Sequence, residues 1–357
     1  MRKVFPTMSM MWRRTFASLD ATVRAVIDFG KRTSIFLYSA IFLTSGAFSL
    51  NFIPQRPITF PTSSTVASDE RSIIVLGDVQ RTSFVQFGCE QNDAEREKIV
   101  ASLTNENPLA VILLGDLVFQ GDSEPQWDYF DRLFAAVRKK NIPLYSVLGN
   151  HEYFGEDRIA LEKFYTRFPQ LEKRQWYAVT IDGIAFLMLN SNINKLDEAQ
   201  TRAQQFWYQR VLSQFETDTS VHSIIVCCHH PPFTNSTSVD SDALVQQQFV
   251  QPFISASKAK VFFSGHCHAY EHFVHQGKHF FVSGGGGGPR QILKEPGSPD
   301  ALRDEFQGPQ KRFFHYCSIT QSREMLRIKV KGFYQAQDSL ALMDEIEIDS
   351  IPRRIEQ

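Results

Sequence analysis

The sequence predicts an α/β fold with parallel strands, and three observations carry that prediction. Short apolar runs of strand length recur along the chain. Charged or amphipathic stretches of helical length separate them, the alternation expected of parallel strands joined by helical crossovers. Several runs stop at a Gly followed at once by Asp, Asn or His, and function in open α/β sheets collects just beyond the carboxyl ends of strands.

In chain order, Ser72 to Leu76 is an apolar run ending at Gly77-Asp78, and Glu90 to Asn105 reads as a helix. Leu109 to Leu114 ends at Gly115-Asp116. Pro125 to Lys140 reads as one amphipathic helix, with Trp127, Phe130, Phe134 and Val137 at helical spacing. Ile142 to Leu148 ends at Gly149-Asn150-His151-Glu152. Trp176 to Thr180 and Ile184 to Leu189, joined through Asp182-Gly183, predict a hairpin. Asp197 to Phe215 predicts a helix with Phe206 and Leu212 inside. Ser223 to Cys228 is a strand ending at His229-His230-Pro231, and Asp240 to Ser257 a helix. Val261 to Ser264 then runs into Gly265-His266-Cys267-His268, where extended backbone would point His266 and His268 the same way. His279 to Ser283 is a short strand before five glycines, Gly284 to Gly288. Phe313 to Thr320, Met325 to Val330 and Leu342 to Ile348 read as strands of a second sheet.

Composition narrows the function. The chain has 357 residues, 43% of them hydrophobic, with 31 phenylalanines, enough for a thick core. A formal net charge of −1 gives no reason to expect a nucleic-acid-binding surface or an acidic partner. Five cysteines without framework spacing argue against a disulfide scaffold, and Cys227 and Cys228 read as buried thiols.

The amino-terminal region has its own character. Met1 to Arg32 carries seven Arg or Lys against two acidic residues, and Thr33 to Gln55 carries no charge. Twenty-three helical residues would span roughly 34 Å, enough to cross a bilayer. The expected organisation is a basic region over 1–33, a transmembrane anchor or cleaved signal segment over 34–53, a polar linker over 54–70 and a catalytic domain over 71–350. Basic flanks stay on the cytoplasmic side, so the protein would contact the membrane through this segment, or be secreted, with its catalytic domain on the non-cytoplasmic side.

Five strand ends carry Asp78, Asp116, Asn150-His151, His229 and His266-x-His268. Carboxylates, an amide oxygen and imidazoles together suit a pair of metal ions of borderline hardness. One carboxylate between two cations can bridge them. Taken singly each residue has a plainer explanation: Asp after Gly is a common turn residue, and a buried His is often only a satisfied core group. The joint pattern at successive strand ends is what points to metal.

With these residues in view the sequence resembles the calcineurin-like metallophosphoesterase superfamily, from about Ile73 to Phe273. The pieces Gly77-Asp78, Gly115-Asp116, Gly149-Asn150-His151-Glu152, His229-x-Pro231 and Gly265-His266-x-His268 stand in that family's order. The ending Gly265-His266-Cys267-His268-Ala269-Tyr270-Glu271 looks most like the purple acid phosphatase branch. The resemblance implies a four-layer α/β/β/α sandwich of two mixed β-sheets flanked by helices. It implies two divalent or mixed-valence metal ions (Fe, Mn, Zn or Mg) bridged by Asp116. Asp78 and His268 would serve the first metal, Asn150, His229 and His266 the second, and His151 would face the phosphate without binding metal. The implied activity is hydrolysis of a small phosphoester by a metal-bound hydroxide, a phosphomonoesterase first, with a nucleotide or lipid-headgroup diesterase and a non-catalytic metal-binding scaffold as rivals.

Two positions depart from the family's pattern. Its first motif is usually Asp-x-His, and here it is Asp78-Val79-Gln80. Purple acid phosphatases place a tyrosinate three residues after the second Asp, and here that residue is Phe119. The first metal is then under-ligated unless the Gln80 carbonyl oxygen serves, a donor that favours Mg, Mn or Fe(II) over zinc. Glu152 is expected to orient His151 or its loop, and the glycine run to pass backbone close to the site.

Overall fold

The computed structural model describes residues 71–350, apart from 84, 85, 87, 336 and 338. The segments 1–33, 34–53 and 54–70, and with them the anchor or signal reading, lie outside the described residues. Among those described, no helix is long and apolar enough to cross a membrane.

Three parallel strands start the first sheet: β1 (Ile73–Leu76), β2 (Ala110–Leu113) and β3 (Leu144–Ser146). Every residue in them is buried, which is why they read as continuous apolar runs rather than alternating ones. The second sheet begins with the predicted hairpin, β4 (Tyr177–Ile181) and β5 (Ile184–Met188). Asp182 and Gly183 both take positive φ, 48° and 75°, as a tight two-residue turn matched to strand twist requires. It continues through β6 (Ser223–Cys227), β7 (Ala259–Ser264), β8 (Tyr270–His275) and β9 (Lys278–Ser283), in the order β4-β5-β6-β7-β9-β8. β8, antiparallel to β9, is a strand the sequence did not announce.

The three carboxy-terminal strands correct an expectation. β10 (Phe314–Gln321), β11 (Met325–Phe333) and β12 (Ala341–Asp349) form an antiparallel meander, but they do not start a second sheet. β10 pairs with β1, Ile73 opposite Ile319, so the first sheet runs β12-β11-β10-β1-β2-β3. Chain order gave no hint of this return.

Both sheets are mixed, and helices flank them. These are α1 (Asp93–Asn105), α2 (Glu124–Leu133), α3 (Ala135–Lys139), α4 (Asp157–Arg167), α5 (Glu198–Thr217), α6 (Ala243–Val245) and α7 (Gln251–Ser255), with a π-helical turn, Gln246–Val250, between the last two. β5 shows how the layers divide: Ile184, Phe186 and Met188 join a core shared with β1–β3, while Ala185 and Leu187 join the core under α5. The expected helix from Pro125 to Lys140 is broken at Phe134, whose φ and ψ of −95° and 9° leave the helical region while its ring stays buried 4.7 Å from Phe130. Asp197 and Gln200 form a capping box at the start of α5. Phe206 does not lie inside that helix; it is 71% exposed, and Trp207, Tyr208, Val211, Leu212 and Phe215 form the buried stripe. Six residues along a helix turn about 240° beyond a full revolution, so Phe206 and Leu212 never shared a face.

Candidate metal centre

All eight predicted site residues are in loops that leave the carboxyl ends of strands. Asp78 and Gln80 follow β1, Asp116 follows β2, and Asn150 and His151 follow β3. His229 follows β6, and His266 and His268 follow β7. Asp78, Asp116 and His266 all have left-handed backbone, with φ of 61°, 53° and 67°. For a non-glycine residue such a conformation costs roughly 1–3 kcal/mol, least for Asp. The extended geometry expected at 266–268 is therefore absent, and the backbone at Asp78 is not extended either. The two imidazoles of the His-x-His pair diverge instead, to opposite ends of one cluster.

At one end, His268 Nε2 lies 3.4 Å from Asp78 Oδ1 and 3.2 Å from Gln80 Nε2, and Gln80 Nε2 lies 3.4 Å from Asp116 Oδ2. At the other, His229 Nε2 is 2.9 Å from Asn150 Oδ1, 3.1 Å from His266 Nδ1 and 3.3 Å from Asp116 Oδ2. Asp116 Oδ2 thus belongs to both groups. The ligand atoms of Asp78, Asp116 and His229 all lie within 4.8 Å of one another, as do those of His229, His230 and His266. His230 is the member that sequence reasoning set aside. Its ring packs 4.6 Å from His266, and its Nδ1 is 2.8 Å from Ser191 Oγ. The His229-His230 doublet was the available signal, but nothing in the sequence identified Ser191 as its anchor.

The donor set fits cations. His229 Nδ1 donates to Leu114 O at 2.8 Å and His268 Nδ1 to Pro289 O at 2.7 Å, which leaves each Nε2 bare toward the cluster. Gln80 Oε1 is buried and has no hydrogen-bond partner, while Nε2 takes the position between Asp116 and His268. The two ends of an amide are interchangeable by rotation. Turned over, the Gln80 oxygen would join Asp116 Oδ2 and His268 Nε2 in one donor group that a cation could share. Charge balance says the same. Burial opposes ionisation of Asp116, yet His229, His151 and His266 hold its carboxyl far below the usual range. His229, despite its burial, is raised to about 9 by Asp116. Burial, and then the His229 charge, pushes His230 down to about 3. The same two causes, with His230 added, push His266 well below its usual value. One dry carboxylate therefore draws positive charge, carried here by His229, with His230 and His266 held neutral beside it.

The loops are braced from behind. Glu152 accepts backbone N–H bonds from Asp116 (2.9 Å), Leu117 (2.8 Å) and Gly149 (2.7 Å), locking the β2 and β3 loops together. It orients the loops, as expected, rather than reaching the cluster. Arg96, fully buried on α1, donates to Gln80 O at 2.9 Å and Gly287 O at 2.8 Å. The glycine run lies against the site's back wall: Gly288 N donates to Asp78 O at 2.9 Å, and a Cβ there would stand 2.6 Å from the His268 ring. His151 keeps to one side. Its Nδ1 is 2.5 Å from Phe119 O, its Nε2 is 3.8 Å from Asp116 Oδ2, and 18% of its side chain is exposed. Phe119, at the position where a tyrosinate was sought, packs its ring 4.8 Å from His151.

Comparison with known proteins supplies the family. The model of the calcineurin-like phosphoesterase family matches residues 71–270, more than half of the chain. Purple acid phosphatase 22 of Arabidopsis thaliana is 25% identical over 320 residues, 80% of this chain and 72% of that protein. Purple acid phosphatase 23 of the same plant is 26% identical over 234 residues, 60% of this chain and 50% of its own length. Among solved structures, the purple acid phosphatase PPD1 of yellow lupin superimposes with a TM-score of 0.61 at 15% identity, over 78% of this chain and 53% of that one. GAP50, the anchor in the inner membrane complex of Plasmodium, shares the fold with a TM-score of 0.53 at 14% identity, over 77% of this chain and 88% of that one. The chain belongs to the calcineurin-like phosphoesterase family: it is a metal-dependent phosphoesterase with a four-layer sandwich of two mixed sheets.

Proposed function

We propose that this phosphoesterase is a phosphomonoesterase with two metal ions bridged by Asp116. The observation that carries the reading is that Asp116 Oδ2 is common to both donor groups. Asp78, Gln80 and His268 would hold the first ion, and Asn150, His229 and His266 the second. When bound, a pair of divalent cations lowers the pKa of water and neutralises charge on the phosphoryl oxygens. The chain's own residues do the rest. His151 has its Nδ1 tied to Phe119 O, which leaves Nε2, 3.8 Å from Asp116 Oδ2, on a partly exposed side chain. From there it would hold a phosphoryl oxygen or pass a proton from Nε2 to the leaving alkoxide. Glu152 and Arg96 keep the ligand loops in register without touching substrate.

The resemblance to proteins named purple acid phosphatases supports the monoesterase reading. Phe119 removes the tyrosinate, so the loaded protein should lack a purple charge-transfer band. GAP50, the anchor in the inner membrane complex of Plasmodium, has the same fold, so fold alone does not decide between catalysis and scaffolding; here the two donor groups that meet at Asp116 favour catalysis. The test pairs metal analysis with turnover of p-nitrophenyl phosphate and of its bis-ester. Two ions per chain and preferred hydrolysis of the monoester are expected, with loss on chelation. Preference for the bis-ester would make the enzyme a diesterase, and bound metal without turnover would make it a scaffold. We also propose an anchored or secreted protein, on the uncharged stretch Thr33 to Gln55. Recovery of the full chain wholly in cytosol on fractionation would remove that reading.

A further inference from the structure

We propose that Phe154 and Phe119 form a subsite for a planar aromatic group on the alcohol side of the substrate. This inference rests on the reading of His151 as the residue that faces the phosphoester. Most large apolar side chains here are buried, but Phe154 is 52% exposed and stands beside the candidate centre. Its ring centroid lies 5.6 Å from His151 and 5.7 Å from Phe119, and Phe119 lies 4.8 Å from His151. The three rings therefore pack each against the other two, at interplanar angles of 41° to 61°, into one aromatic wall in which Phe154 is the exposed member and His151 the polar one.

The backbone that carries the exposed ring is held on both sides. Phe154 closes the 3-10 turn His151–Tyr153, its N–H donating to His151 O at 3.1 Å. Its carbonyl accepts from Asp122 N at 3.4 Å, and Asp122 Oδ2 accepts from Glu156 N at 3.0 Å, so the two loops clasp each other. Gly155, at φ 104°, folds directly against the Asp122 carboxylate, where a Cβ would come within 2.2 Å. Phe119 N in turn donates to Gln126 Oε1 at 2.7 Å. Holding half of a Phe ring in water forfeits apolar burial. A flat π-face next to a polar site is matched by another flat ring, which stacks offset or edge-on at 4.5–7 Å. A phosphate seated at the centre, with its ester oxygen toward His151, would set an aryl group or nucleobase against this wall. A flexible alkyl alcohol would gain far less.

The experiment uses the full chain supplied with Mn, and compares wild type with Phe154→Ala, Phe154→Leu and Phe154→Trp. Turnover is measured with 1-naphthyl phosphate and with glycerol 3-phosphate, and each variant is referred to wild type on the same substrate, so leaving-group reactivity cancels. The ratio of kcat/KM for naphthyl over glycerol phosphate should fall about fivefold in Phe154→Ala, through KM. It should fall nearly as far in Phe154→Leu, which keeps apolar cover without a flat face, and recover in Phe154→Trp. Binding of phenylphosphonate against methylphosphonate, followed by calorimetry, should show the same loss of preference. An unchanged ratio in Phe154→Ala, or equal losses on both substrates, would overturn the subsite. A Leu variant equal to wild type would replace the aromatic group by an alkyl chain. If wild type hydrolyses neither ester, the phosphomonoesterase reading falls, and the phosphonate preference still decides the subsite.

Discussion

The two sheets contribute different chemistry to the candidate centre. Loops of the first sheet bring the oxygens, from Asp78, Gln80, Asp116 and Asn150; loops of the second bring the nitrogens, from His229, His266 and His268. Neither set is stable alone in a dry pocket. The buried carboxylates would repel each other, and the buried imidazoles would each resist a charge. Packed together they supply one another's needs, down to their fixings. His229 is aimed by Leu114 O at the end of β2, the Asp78 carboxylate accepts from His266 N at 3.0 Å, and Gly286 N donates to Gly77 O at 2.8 Å. The difference teaches that the site is a property of the seam between sheets, not of either one.

Asp116 is where the oxygen half meets both nitrogen groups, so its charge should matter most. Asp116→Asn keeps the shape and removes the shared negative charge. Turnover should fall by about a hundred- to thousandfold, the scale seen when a key electrostatic group is lost. Metal content should drop toward one ion per chain. Near-normal turnover with both metals retained would mean that the halves do not meet at this residue.

His151 belongs to neither half. His151→Ala should leave metal content unchanged and lower turnover by about a hundredfold with poor leaving groups, and less with good ones, which need little protonation. Metal loss in this variant would make His151 a fourth nitrogen donor, supplied by the first sheet, and break the division between the sheets.

How much of this was legible in the sequence follows from the same division. Asp78, Asp116, Asn150, His229, His266 and His268 could be found because each closes an apolar run, and strand period and length are local signals. Their grouping into two sets was implied by the family resemblance alone and was not legible in strand period or spacing. It depends on left-handed turns at Asp78, Asp116 and His266, which redirect side chains that extended backbone would have kept parallel. The return of β10 to pair with β1 was hidden for a similar reason, since pairing across more than two hundred residues leaves no local trace. Ser191 and Phe154 carry no motif, and only packing places them beside His230 and His151.

The seam can also be tested away from the metal ligands. His315 on β10 reaches across to the second sheet, Nε2 to Ser283 Oγ at 3.1 Å, with its Nδ1 3.1 Å from Phe313 O. Burial pushes its pKa down to about 4 from the ordinary 6.5. The folded protein therefore holds it neutral where the unfolded chain protonates it. Its contribution is complete above about pH 6.5 and is lost as pH falls toward 4, by about 2 kcal/mol at pH 5. In His315→Gln the fall of stability with acid, measured by denaturant unfolding, should be shallower by close to one proton over that window. An unchanged slope would show that acid opens the molecule somewhere other than this seam.

The smallest effect is expected at Gln80, where the oxygen half departs from its family's pattern. Its amide already stands between Asp116 Oδ2 and His268 Nε2, and its carbonyl oxygen is buried without a partner. An amide oxygen is a neutral and weaker donor to borderline metals than an imidazole. The first site should therefore release its ion more readily than the second, and added Mn or Mg should restore activity after mild chelation. Gln80→His should tighten the first site by about tenfold and shift it toward zinc or iron, the scale by which single changes around a ligand set alter affinity. Gln80→Ala should weaken it by a similar factor while the second site, built on Asn150, His229 and His266, holds its ion. Metal titration of the three forms decides. If all three bind both ions with one affinity and one selectivity, Gln80 is not a ligand, and the oxygen half of the centre is completed by Asp78 and Asp116 without it.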